Sequence, residues 1–127
     1  MQTFLLISFG AMLGANLRYW VGGWAAAHLG ATFPYGTLIV NLTGSFILGF
    51  FITLASDLLL LDPRWRLLVA IGFLGSYTTF SSYTVESVNL ILNGEWGSGM
   101  LNLFGSTVVG GLSALLGVLL ARFLIPL

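Results

Sequence analysis

The sequence predicts an all-α integral membrane fold, and three observations carry that prediction. Of the 127 residues, 57% are apolar and only 6% are charged, where a water-soluble domain carries about 25% charged residues. The apolar residues gather into four runs, at about 3–27, 35–57, 65–92 and 98–124, each near the ~20 residues that cross a bilayer. Between them lie "HLGATFP", "SDLLLLDPR" and "NGEWGSG", short stretches bearing the Gly, Pro, Asn or Asp of turns. The expectation is a single transmembrane domain over residues 1–127. Short connections imply antiparallel neighbours, and four spans put both termini on one side.

The first span, within "MQTFLLISFG" and "FLLISFGAMLGANLRYWVGG", lacks the basic start of a cleavable signal and is expected to be retained. Gly10 and Gly14, and Ala11 and Ala15, recur at four-residue spacing, which lets helix backbones approach closely. Arg18 is its one charge, able to attract an anion at a vestibule or to reach the headgroups. Trp20 and Trp24, with Trp65 and Trp96 elsewhere, fall near span ends, where amphipathic rings anchor at the interface. The second span aligns Thr37, Asn41 and Ser45 on one face, with Gly44 beside them and Gly49 further along.

The third span is the most polar. Thr79, Ser82, Glu86, Asn89 and Asn93 follow offsets of three and four and so share a face; Phe80, Tyr83, Thr84 and Ser87 form the neighbouring stripe. Glu86 stands out, because a carboxylate at mid-span costs roughly 2.5–3.5 kcal/mol on insertion and usually faces an interior. Before this stripe, "GFLGSYTTF" combines Gly72, Gly75 and Ser76 with Tyr77, Thr78 and Thr79, all poor helix formers. An interruption is expected near Gly75 to Thr78, freeing carbonyls that lipid cannot satisfy; neighbouring protein or a hard cation such as Na⁺ would have to do so. The fourth span aligns Asn102, Ser106, Gly110 and Ser113. Polar stripes on three helices suit an ion path that replaces hydration stepwise, and they also suit interhelical packing.

Other classes are narrowed by composition. Net charge is zero, with four Arg and no Lys, so there is no basic patch for nucleic acid. Cysteine is absent, and the single His28 cannot build a metal site alone. No nucleophile–base pair points to an enzyme. Arg64, Arg66 and Arg122 lie on the terminal side against Arg18 near the first span, a weak positive-inside signal that leaves orientation poorly encoded.

"GANLRYW", "YGTLIVNLTGSFILG", "LDPRWRLLVAIGFLG" and "TTFSSYTVE", in that order and with a glycine- and serine-bearing fourth span, resemble the Fluc/CrcB family of fluoride channels over essentially the whole chain. The resemblance implies an antiparallel, dual-topology homodimer in the bilayer of a prokaryotic inner (plasma) membrane. It also implies two fluoride pathways at the subunit interface and a structural Na⁺ on the two-fold axis. Position by position, it implies pore roles for Asn41, Phe80, Tyr83, Ser81 and Thr79, and a polar track of Ser82, Glu86 and Ser106. It further implies a vestibule role for Arg18 and Na⁺ held by the main-chain carbonyls of Gly75 and Thr78. The chain departs from the family's usual F-S-T-F by reading "FSSY", so that Tyr83 stands where a second phenylalanine is common. Its phenol keeps a positive ring edge but adds a hydroxyl that needs a partner. Ser76 replaces a common glycine, and Asn102 and Gly110 stand where other polar groups are frequent. The rival transport reading is a small dual-topology, proton-coupled multidrug exporter. Such proteins carry their essential acid in the first span, and the first span here has no Asp or Glu. A non-transporting scaffold, glued by its polar stripes, is the third reading.

Overall fold

A computed structural model describes residues 1–58 and 61–125 of the chain. Residues 59 and 60, inside the predicted second connection, lie outside the described residues. The first helix, α1, spans Gln2–Leu29. It stops at Gly30, whose φ of 91° is a left-handed conformation suited to glycine. The second, α2, spans Tyr35–Ile52 and continues as a wider, π-type turn over Thr53–Leu58.

The third predicted span is two helices end to end. The first half, α3, covers residues 63–77 and contains a π-type stretch, Arg66–Leu74, between short α-turns at Pro63–Trp65 and Gly75–Tyr77. Its start is written in "DPR": Asp62 caps it by accepting from the Arg64 N–H at 2.9 Å, and Pro63 occupies the first helical position, where no N–H is needed. The second half, α4, spans Phe80–Leu92. Between them, Thr78 (φ −81°, ψ 158°) and Thr79 (φ −148°, ψ 118°) are extended. The expected interruption is therefore present, at Thr78 and Thr79. A turn with Gly94 at φ 85° leads to α5, Trp96–Leu124, whose second turn, Leu101–Gly105, is again π-type. Three helices among the described residues, Gln2–Leu29, Tyr35–Ala55 and Trp96–Leu124, are long and apolar enough to cross a membrane.

Close helix contacts occur where the sequence has small residues at four-residue spacing. On α1, a side chain at Gly10 or Gly14 would run into the α3 backbone at Leu68 and Phe73, and one at Gly72 would meet the Ile7 carbonyl. On α2 and α5, Gly49 faces the Ala114 carbonyl and Gly117 faces that of Phe46. Ser113 adds a hydrogen bond to the Leu42 carbonyl at 2.7 Å. Contact positions rise together along each pair, so α1 and α3 run parallel, as do α2 and α5. A small core of Val40, Leu74 and Tyr77 sits between the pairs. Most other large apolar side chains face outward, from Phe4 on α1 to Phe123 on α5. That distribution suits acyl chains as solvent. Trp20, Trp24, Trp65 and Trp96 are all more than half exposed.

Candidate functional site

The backbone break organises the site. In lipid an unwound residue leaves polar groups that must find partners, and Asn41 supplies both for Thr79. Its Oδ1 accepts from the Thr79 N–H at 2.8 Å, and its Nδ2 donates to the Thr79 carbonyl at 3.0 Å. One side-chain amide thus pairs with a main-chain amide as a neighbouring strand would. The Thr79 hydroxyl then accepts from the Ser82 N–H at 3.2 Å, capping α4, and also donates to the Ser82 hydroxyl at 3.1 Å. In a continuous helix the N–H groups of Thr79 and Ser82 would serve the carbonyls of Gly75 and Thr78. Here Asn41 Oδ1 and Thr79 Oγ1 take them, leaving those two carbonyls without their helical donors.

Around the break lies a groove of about 460 Å³. Its walls come from α2 (Asn41, Ser45), the break (Thr78, Thr79), α4 (Phe80, Tyr83) and α5 (Ser106, Thr107, Gly110). Phe80 is 79% exposed at its rim, tilted 50° from Tyr83 with ring centroids 5.7 Å apart. Tyr83 is buried. Its hydroxyl reaches the Leu103 carbonyl and lies 2.8 Å from the Thr107 hydroxyl, both on α5. The partner that the extra phenol requires is therefore on the facing helix, and the ring remains part of the groove wall.

The long polar face of the third span divides between two recesses. Thr79 belongs to the groove, while Glu86, Asn89 and Asn93 line a second cavity of about 430 Å³, roofed by the α1–α2 connection. There Thr37 donates to Glu86 Oε1 at 2.9 Å. Glu86 Oε2 is buried without a hydrogen-bond partner among the described residues. The face of α2 predicted to be polar thus meets α4 through Thr37 at Glu86, meets the break through Asn41 at Thr79, and enters the groove with Ser45.

Other predicted site residues lie apart. Ser81 is exposed, lines neither recess, and has its hydroxyl 3.4 Å from that of Thr79. Ser82 lies between the recesses, bonded to Thr79. Arg18 sits in mid-helix, between the level of Gly14 beside Phe73 and that of Gly22 beside Gly36. It lines neither recess, and its buried Nε has no partner among the described residues. Gly75 is exposed one turn before the break. Thr107 is a groove residue that sequence reasoning missed; a single threonine beside Ser106 gives little signal until Tyr83 is brought against it.

The residues from 5 to 118 match the family described as CrcB-like protein, Camphor Resistance (CrcB). A protein of Sulfurihydrogenibium sp. (strain YO3AOP1) named fluoride-specific ion channel FluC is 48% identical over 124 residues, 98% of this chain and all of its own length. Proteins of the same name are 43% identical in Koribacter versatilis (strain Ellin345), over 91% of each chain, and 46% identical in Roseiflexus sp. (strain RS-1), over 97% of this chain and 99% of that one.

Proposed function

The chain belongs to the CrcB-like protein family, and on that premise we propose that it is a fluoride-selective channel giving passive export of cytoplasmic fluoride across a prokaryotic plasma membrane. One observation supports this most: polar side chains of α2 (Asn41, Ser45), the break (Thr78, Thr79) and α5 (Ser106, Thr107) meet in one groove, with an exposed phenylalanine at its rim. Fluoride is small and strongly hydrated, so its path must replace water with donors at short intervals. The groove offers the second Nδ2 proton of Asn41 and the positive ring edges of Phe80 and Tyr83, together with threonine and serine hydroxyls that can rotate toward an anion from their acceptors within the protein. The N-terminus of α4, at Phe80, adds the positive end of a helix dipole. Larger anions gain less from closely spaced donors than they lose in fit.

The full pathway in this reading runs from a vestibule served by Arg18, past Asn41, Thr79, Phe80, Ser81 and Tyr83, along the track of Ser82, Glu86 and Ser106. The groove lies on the flank of one protomer, with Phe80 largely uncovered, and a second copy would complete its wall. The assembly is an antiparallel homodimer of four-span subunits with two such pathways. A structural Na⁺ fits the carbonyls of Gly75 and Thr78, because both have lost their helical donors and neutral main-chain oxygens suit a hard cation. When bound, it would supply positive charge that offsets the negative C-terminal end of α3 at the break; it is not the transported ion.

The experiment is fluoride release from liposomes reconstituted with the purified chain, without a proton gradient and with chloride as the comparison. Rapid fluoride loss with chloride retained is expected. Vesicles that hold fluoride as protein-free ones do would refute the channel.

A further inference from the structure

Asn102 is 1% exposed and has no access to an anion. Its amide nevertheless stands in the middle of a hydrogen-bond chain whose direction can be followed from one end. Ser87 is fully buried, and its single hydroxyl proton goes to the Tyr83 carbonyl at 2.8 Å. A hydroxyl with its proton committed can only accept, so Asn102 Nδ2 donates to Ser87 Oγ, at 2.9 Å. That orients the amide. Its Oδ1 faces Ser106, and the Ser106 hydroxyl donates to it at 3.0 Å. Ser106 lines the groove, and in this arrangement it turns lone pairs toward the groove. An anion there meets an acceptor.

A second arrangement is also satisfied. With the amide reversed, Ser87 donates to Asn102 Oδ1, Nδ2 donates to Ser106, and the Ser106 proton is free to enter the groove. Amide oxygen and nitrogen are nearly equal in size, so packing hardly changes. The first arrangement has its three hydrogen bonds inside the protein. The reversed one keeps two and leaves the Ser106 proton to an already-bonded carbonyl of its own helix, until an anion in the groove offers a stronger, charged acceptor.

Resting on the reading of the groove as an anion path, we propose that Asn102 is a positioning residue: its buried amide directs the proton of Ser106, withdrawing it from an empty groove and turning it toward a resident anion. The test compares fluoride release by the wild-type chain, Ser106→Ala, Asn102→Leu and the double variant. In Asn102→Leu the Ser106 proton falls to a carbonyl of its own helix. Each single variant is expected to release fluoride about tenfold more slowly, the scale of one hydrogen bond to a charged group. The double variant is expected to be no slower than Ser106→Ala, because Asn102 acts through Ser106. If Asn102 only packs α4 on α5, its substitution slows release by the same factor in both backgrounds, and the proposal is overturned; wild-type release by either single variant overturns it too. Should Asn102→Leu fail to assemble, Asn102→Thr, smaller and able to bond its own helix, enters the same cycle. A wild-type chain that itself retains fluoride would instead refute the channel, which separates the two failures.

Discussion

Asn41 and Phe80 both border the groove, yet they answer different questions when substituted. Asn41 pairs with both polar groups of an unwound residue, so Asn41→Leu leaves a buried N–H unsatisfied and is expected to cost about 1–3 kcal/mol. A loss of flux there would mix structure with conduction. Phe80 is largely exposed in the single chain, and Phe80→Ile is expected to leave thermal stability within about 0.5 kcal/mol. Its fluoride release should fall roughly tenfold, the effect of about 1.4 kcal/mol on a barrier. Unfolding followed in detergent beside vesicle efflux checks both; unchanged efflux by the Phe80 variant would remove it from the pathway. At this scale, which face of each helix is polar was legible from spacing alone. Which group meets which was not. Tyr83 finds Leu103 and Thr107 twenty and twenty-four residues away, and Asn102 turns out to be enclosed, because periodicity gives a residue's azimuth on its own helix and not what faces it.

Helix–helix spacing is set by glycines, and two of those on α5 behave differently. Gly117 abuts the Phe46 carbonyl, whereas nothing lies within 4 Å of a side chain added at Gly110, which borders the groove. Gly117→Ala must separate α2 from α5 and is expected to lower the yield of folded protein and its melting temperature. Gly110→Ala should fold like the wild-type chain. Size-exclusion profiles and melting curves check the contrast, and equal stability of the two variants would contradict the packing. Four-residue spacing predicted such contacts without naming partners. The interruption of the third span was also legible, since "GSYTT" offers little helical preference and two β-branched residues. The π-type stretches at Thr53–Leu58, Arg66–Leu74 and Leu101–Gly105 were not. Over so short a run, a wider turn leaves no distinct period.

For the whole molecule, the solvent is the bilayer. The protein keeps its large side chains outside and joins its helices through small and hydroxyl-bearing ones, the inverse of a water-soluble core. That class was plain from composition, because 6% charge admits few alternatives. Orientation is a different matter: four arginines and no lysine give little to direct insertion. A reporter fused to the C-terminus is therefore expected on both sides of the membrane in comparable amounts, and a signal from one side alone would refute dual insertion.

Among the described residues nothing covers the outer side of the groove, and Phe80 stands free at its edge. A solitary copy would press hydroxyls and an amide against hydrocarbon. In the proposed homodimer, association would then be driven less by attraction than by the cost of remaining single, and any agent that solvates those hydroxyls sideways, a short-chain alcohol for instance, should shift such a pair toward monomers before it unfolds either copy.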